Sequence, residues 1–131
     1  MEKKLLVLFA IALQTVLFGR EVVVTEKNNG ETIELDVHDT LQVNLAGNPT
    51  TGFVWEESSP ASPILCPANH IYTPSGTLMG SGGVFSFMYQ ATSHGSAQLS
   101  FVYRRPWETD VSPLQTFSIT VFVWHPRLND R

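Results

Sequence analysis

The stretch Gly83-Val84-Phe85-Ser86-Phe87-Met88-Tyr89-Gln90-Ala91 and its successor Ser96-Ala97-Gln98-Leu99-Ser100-Phe101-Val102-Tyr103-Arg104 decide the fold. Phe85, Phe87 and Tyr89 share one face of the first, and Leu99, Phe101 and Tyr103 share one face of the second. Successive strand side chains point to opposite faces, so strict alternation of this kind marks half-buried strands. Ser93-His94-Gly95 between them reads as a hairpin turn. Working outward, Thr32 to Val37 and Leu41 to Leu45 alternate in the same way, and Phe117, Ile119, Val121 and Val123 form the last such set. Strands are expected near 21–25, 31–37, 40–46, 53–57, 83–91, 96–104 and 115–124, with a short one near 69–73. No window after residue 20 carries a convincing helical period. The expected fold is all-β, an immunoglobulin-like antiparallel β-sandwich of about seven to eight strands.

The connections carry strong turn signals. Asn28-Asn29-Gly30 looks like a second hairpin turn. The region Ser58 to Thr77 contains Pro60, Pro63, Pro67 and Pro74. Proline cannot donate to a strand ladder, so this region is expected to be mostly a crossing loop with at most one short edge strand.

The chain's 131 residues fit one folded domain. A 43% hydrophobic content and a net charge of only −4 exclude intrinsic disorder. The N-terminus is separate from the domain. Met1-Glu2-Lys3-Lys4 is a short basic start, Leu5 to Leu13 is wholly apolar, Val16-Leu17-Phe18 resumes the run, and Gly19 is a small residue at a cleavage point. Residues 1–19 read as a secretory signal peptide, although Leu17 is larger than the usual pattern asks. A retained anchor or a buried strand is the alternative. The expected location is the secretory pathway, with the product secreted or held in lysosome-like vesicles. Loss of Glu2, Lys3 and Lys4 leaves residues 20–131 more acidic, which argues against nucleic acid and against anionic membranes. Cys66 is the one cysteine, so no intramolecular disulfide can form and the core alone must hold the domain. Its expected role is that of a small buried hydrophobe.

Catalytic and metal chemistry find little support. His38 and His94 fall at turns, His70 lies in the proline-rich crossing and His125 is near the tail, none with an obvious partner in sequence. No HExxH, CxxC or paired-carboxylate motif is present, so neither a metal nor a cofactor is expected. Glu56 and Glu57 are neighbours in an expected strand and would point to opposite faces as ordinary surface charges. Gly80-Ser81-Gly82-Gly83 lacks the lysine of a phosphate loop and leads into a strand, so it offers no helix N-terminus for an anion.

Three inter-strand segments stand out instead. In Asn48-Pro49-Thr50-Thr51-Gly52-Phe53, Pro49 restricts its own φ and that of Asn48, Gly52 permits an unusual turn, and Thr50 and Thr51 sit at the tip. Gly80, Ser81, Gly82 and Gly83 form a backbone surface open to an extended partner, or else a flexible connector. Arg105, Pro106 and Trp107 place a tryptophan in a stiffened polar loop; arginine and tryptophan are enriched in binding hot spots, although such a tryptophan can also fold back onto the core.

NPTTG-F, GSGG and RPW in this order resemble the chagasin family of cysteine-peptidase inhibitors, over roughly Val22 to Val123. The resemblance implies a non-enzymatic, reversible inhibitor of papain-like cysteine peptidases, in domain 20–131. It implies that Thr50 and Thr51 lie nearest the peptidase's catalytic cysteine, that the glycine loop faces the unprimed pockets and that Arg105, Pro106 and Trp107 face the primed side. Phe53 stands where relatives often carry another aromatic residue, and Arg104 adds a charge before the RPW. A monomer is expected. The other classes to weigh are an exported immunoglobulin-like binding module without inhibitory activity, and an enzyme using Cys66 as nucleophile.

Overall fold

The computed structural model describes residues 19–78 and 80–125. Eight strands follow in order: β1 (Glu21–Val24), β2 (Thr32–Asp36), β3 (Thr40–Gly47), β4 (Val54–Glu57), β5 (Leu65–Pro74), β6 (Gly83–Ala91), β7 (Gly95–Arg104) and β8 (Gln115–Trp124). They form two four-stranded sheets, ordered β1-β3-β6-β5 and β2-β8-β7-β4. The expected leader lies outside the described residues except for Gly19, as does the tail beyond His125.

Alternation decides which faces meet. Leu41, Val43 and Leu45 of β3 and Phe85, Phe87 and Tyr89 of β6 turn inward from one sheet. Leu99, Phe101 and Tyr103 of β7 and Phe117, Ile119, Val121 and Val123 of β8 meet them from the other. The Phe87 and Phe101 rings pack across the interface with centroids 4.7 Å apart. Three polar ties also cross between the sheets. The Trp55 indole donates to the Ala46 carbonyl at 2.9 Å, the Asn48 amide donates to the Tyr103 hydroxyl at 2.9 Å, and the Tyr89 hydroxyl donates to the Glu57 carboxylate.

The structure departs from the sequence reading in several places. The turn at Ser93-His94-Gly95 is real, but β6 and β7 lie in different sheets, and so do β1 and β2 around Asn28-Asn29-Gly30. Alternation fixes a strand's buried face and leaves its neighbour undefined. The true hairpins are β5–β6 and β7–β8. Four pairings are antiparallel, while β1–β3 and β2–β8 are parallel, because the first three strands alternate between sheets. Half of the proline-rich region is strand: the short edge strand expected near 69–73 is part of β5, which runs ten residues along the sheet edge with a bulge between Pro67 and Asn69. At an edge, the missing N–H of Pro67 can face away from the ladder. Cys66 is exposed on this strand, not buried, because Leu65 takes the inward position beside it. Glu57 is likewise not an ordinary surface charge. It is half-buried and accepts from Tyr89, whereas Glu56 faces outward and pairs with Arg104 at 3.8 Å.

Candidate functional site

The three singled-out segments meet at one end of the sandwich. β3 ends at Gly47, which pairs with Gly83 at the start of β6, and Gly83 in turn pairs with Pro74 at the end of β5. In the other sheet, Val54 at the start of β4 pairs with Arg104 at the end of β7. Residues 48–53 therefore cross from one sheet to the other, flanked by the hairpin loop 75–82 of the first sheet and the hairpin loop 105–114 of the second.

The crossing loop is a single 3-10 turn, Pro49–Thr51. Asn48 caps it, since its side-chain oxygen accepts from the Thr50 amide at 3.1 Å and from the Thr50 hydroxyl at 2.5 Å. The Thr51 hydroxyl donates to the Asn48 carbonyl at 2.7 Å. Gly52 ends the turn in the left-handed region with φ of 87°, a conformation that a side chain resists. Proline at the first position of a helical turn has no N–H to lose. The result is a closed turn with Thr50 and Thr51 exposed at its tip.

Each flanking loop is fastened to this turn. The Asn48 amide nitrogen Nδ2 donates to the Gly80 carbonyl at 2.9 Å. Gly80 and Gly82 both have positive φ, 82° and 79°, so the glycine loop follows a path closed to most residues. Gly83 differs from its neighbours: it is buried within β6, where a Cβ would fall 2.2 Å from the Thr73 carbonyl oxygen. On the other side, Arg105 Nε donates to the Thr51 carbonyl at 3.1 Å, and its guanidinium lies 4.6 Å from the Phe53 ring centroid. Phe53 in turn stacks on Tyr103 at 5.3 Å. The Glu108 carboxylate lies 3.6 Å from Arg105 Nη1. Trp107 lies edge-on over Gly52, so close that a Cβ there would come within 2.6 Å of the ring, yet 69% of Trp107 remains exposed.

The chain matches the family described as "Chagasin family peptidase inhibitor I42" over residues 34–121, more than half its length. The chain belongs to the chagasin family of peptidase inhibitors. It is similar to chagasin of Trypanosoma cruzi, with 29% identity over 73% of this chain and 92% of that one. It is also similar to amoebiasin-1 of Entamoeba histolytica, with 30% identity over 76% of this chain and 96% of that one. A crystal structure of a cysteine protease inhibitor from Entamoeba histolytica superposes with a TM-score of 0.74, covering 80% of this chain and 96% of that one; at 20% identity the likeness is one of fold. Membership places the chain among chagasin-family inhibitors and not among enzymes.

The sequence reading missed the residues that lock the loops. Tyr103 counts there as a core aromatic, but its hydroxyl also anchors the start of the crossing loop. Leu78, Val111 and Leu114 are largely exposed on the two hairpin loops, and Val111 and Leu114 line a small hollow with Phe53. Their only sequence signal is a large apolar residue inside a segment without strand alternation. The histidines show no catalytic arrangement: His94 and His125 stack at 3.6 Å, and His70 stacks on Phe87. Among the described residues, no cluster of three or more His, Cys, Asp or Glu could hold a metal.

Proposed function

We propose that this chain is a reversible, tight-binding inhibitor of papain-like cysteine peptidases that fills the active-site cleft with the three loops. In this reading Asn48–Phe53 is the central wedge, Gly80–Gly83 flanks it on the unprimed side and Arg105–Trp107 on the primed side. The observation that carries it is the set of hydrogen bonds and packing contacts tying both hairpin loops to the central turn. A surface ordered before docking loses little conformational entropy on docking. The Pro49–Thr51 turn, closed by its own hydrogen bonds, offers no extended peptide bond for attack. Trp107 is the energetic anchor, since an exposed aromatic seated against Gly52 of the central loop is of the residue type most enriched in hot spots. The leader sends the protein into the secretory pathway, to be secreted or kept in lysosome-like vesicles, and the working form is a monomer.

Titrating the folded domain into papain or a cathepsin-L-like enzyme tests the reading. Inhibition at submicromolar concentration is expected, and Trp107→Ala should raise the inhibition constant by about thirtyfold, the equivalent of about 2 kcal/mol. The exposed position of Trp107 means that this variant should keep its melting temperature. No inhibition by the folded wild-type domain at micromolar concentration defeats the function. An unchanged constant in Trp107→Ala defeats only the anchor.

A further inference from the structure

At the pole opposite the three loops, the chain enters the fold at Arg20. Its carbonyl accepts from the Thr40 amide at 2.9 Å, and its backbone nitrogen lies 2.8 Å from Oδ1 of Asp39. Asp39 is only 2% exposed. Its Oδ2 accepts from the Asp36 amide at 2.8 Å and from Arg20 Nε at 3.2 Å. The Arg20 guanidinium is a loose partner, because 62% of its side chain is open to solvent. Glu34 and Asp36 line the same corner together with Arg20 and Trp124. Among the described residues the guanidinium pairs only with Asp39, while its Nη2 donates to the Glu34 carbonyl at 3.2 Å and the Glu34 carboxylate accepts from Trp124. Asp39, the most enclosed of the three carboxylates, also points at the Arg20 backbone nitrogen. A buried carboxylate is costly without a close positive partner.

We infer that the chain is cut between Gly19 and Arg20, and that the α-ammonium group created there forms a buried ion pair with Asp39 in the mature protein. The inference rests on the leader proposed above. Water attacks the Gly19 carbonyl in the site of a leader-removing endopeptidase, and the C–N bond to Arg20 breaks. The hydroxyl stays on the Gly19 carboxyl group, and the Arg20 nitrogen leaves as an amine that takes up a proton at neutral pH. An amide donor 2.8 Å from Oδ1 is thereby replaced by a full positive charge on the same atom. Charge-assisted hydrogen bonds of this kind are about twice as strong as neutral ones. The position of the cut matters. One residue later, both backbone bonds of Arg20 and its guanidinium would be lost. Earlier, the nitrogen facing Asp39 would stay an uncharged amide.

The test has two arms. Mass spectrometry of the protein exported by eukaryotic cells expressing the full chain should find Arg20 as the first residue. An uncleaved chain overturns both the leader and the inference, and a different first residue overturns the site of the cut. In the second arm, purified domains beginning at Arg20, at Gly19 and at Nα-acetylated Arg20 are melted at pH 7. Gly19 is a fair reference, because its lack of a side chain is what lets it lie against the His38 carbonyl. The free-amine form should melt about 4 °C or more above the other two, with the difference abolished in Asp39→Asn. Equal melting temperatures overturn the ion pair even if the cut is at Arg20, and the acetylated form gives that answer should Asp39→Asn fail to fold. All three forms should inhibit a peptidase equally, so the result stands apart from that of the inhibition assay.

Discussion

Gly52 bears two constraints at once. Its φ of 87° disfavours any side chain, and the Trp107 ring fills the space that a Cβ would take. Gly30 has nearly the same φ, 83°, but no atom lies within 4 Å of where its Cβ would sit, so it separates the two effects. Either glycine changed to alanine should lower stability by about 1–2 kcal/mol through backbone strain. Only Gly52→Ala should also raise the inhibition constant, by about tenfold or more, because it pushes Trp107 off its seat. Thermal melts and inhibition titrations on the two variants check this, and an equal loss of inhibition in both would refute the Trp107 contact. The sequence shows that Gly52 permits a turn. It does not show the Trp107 contact, since the two residues are brought together by packing between two loops.

The loops work as elements because each is fastened to another. Asn48 caps its own turn and reaches across to Gly80, a residue 32 positions later, while Arg105 reaches back 54 positions to Thr51. Asn48→Ala should cost about 1 kcal/mol of stability as a lost cap. It should also speed amide exchange at Thr50 and weaken inhibition beyond what the lost cap alone explains. Hydrogen exchange and inhibition constants measure both, and unchanged exchange at Thr50 would sink the bracing role. Five of the eight strands, β2, β3, β6, β7 and β8, were legible in the sequence because each carries its own alternation, whereas β1 (Glu21–Val24) and β4 (Val54–Glu57) were expected without one. Of β5 only the short stretch near 69–73 was legible, because Leu65 alone is buried along it and its prolines imitate a loop. The candidate site was legible as three composition signals in a fixed order. Its braces were not, because they join residues that only the closed sandwich brings together.

In the molecule as a whole, the two sheets are held by apolar packing with few polar ties, and Tyr89 to Glu57 is the tie at the flank. Burial, together with the hydrogen bond and the charge of Glu57, pushes the Tyr89 phenol well above its ordinary range. A phenol held protonated in the native state favours folding fully below its unfolded pKa, near 10, and this contribution is lost as pH climbs beyond that. Stability should therefore fall by about 1.4 kcal/mol per pH unit above pH 10 from this group alone. Urea melts between pH 9 and 11.5 should show that slope in the wild type and a shallower one in Tyr89→Phe; equal slopes would refute it. The pairing of strands was the least legible feature, because a face pattern says what is buried and not beside what. That pairing has a practical outcome. The loops 75–82 and 105–114 each close a hairpin whose two ends are hydrogen-bonded to each other, so their lengths can drift without disturbing any other register. The 48–53 crossing has no such freedom, since it couples the sheets through Asn48 and Tyr103. The scaffold is thus modular on both flanks and fixed at its centre. Retargeting to a new protease by loop grafting should succeed in the two hairpins where Gly80, Arg105 and Trp107 keep their contacts with the central turn, and fail at the turn itself.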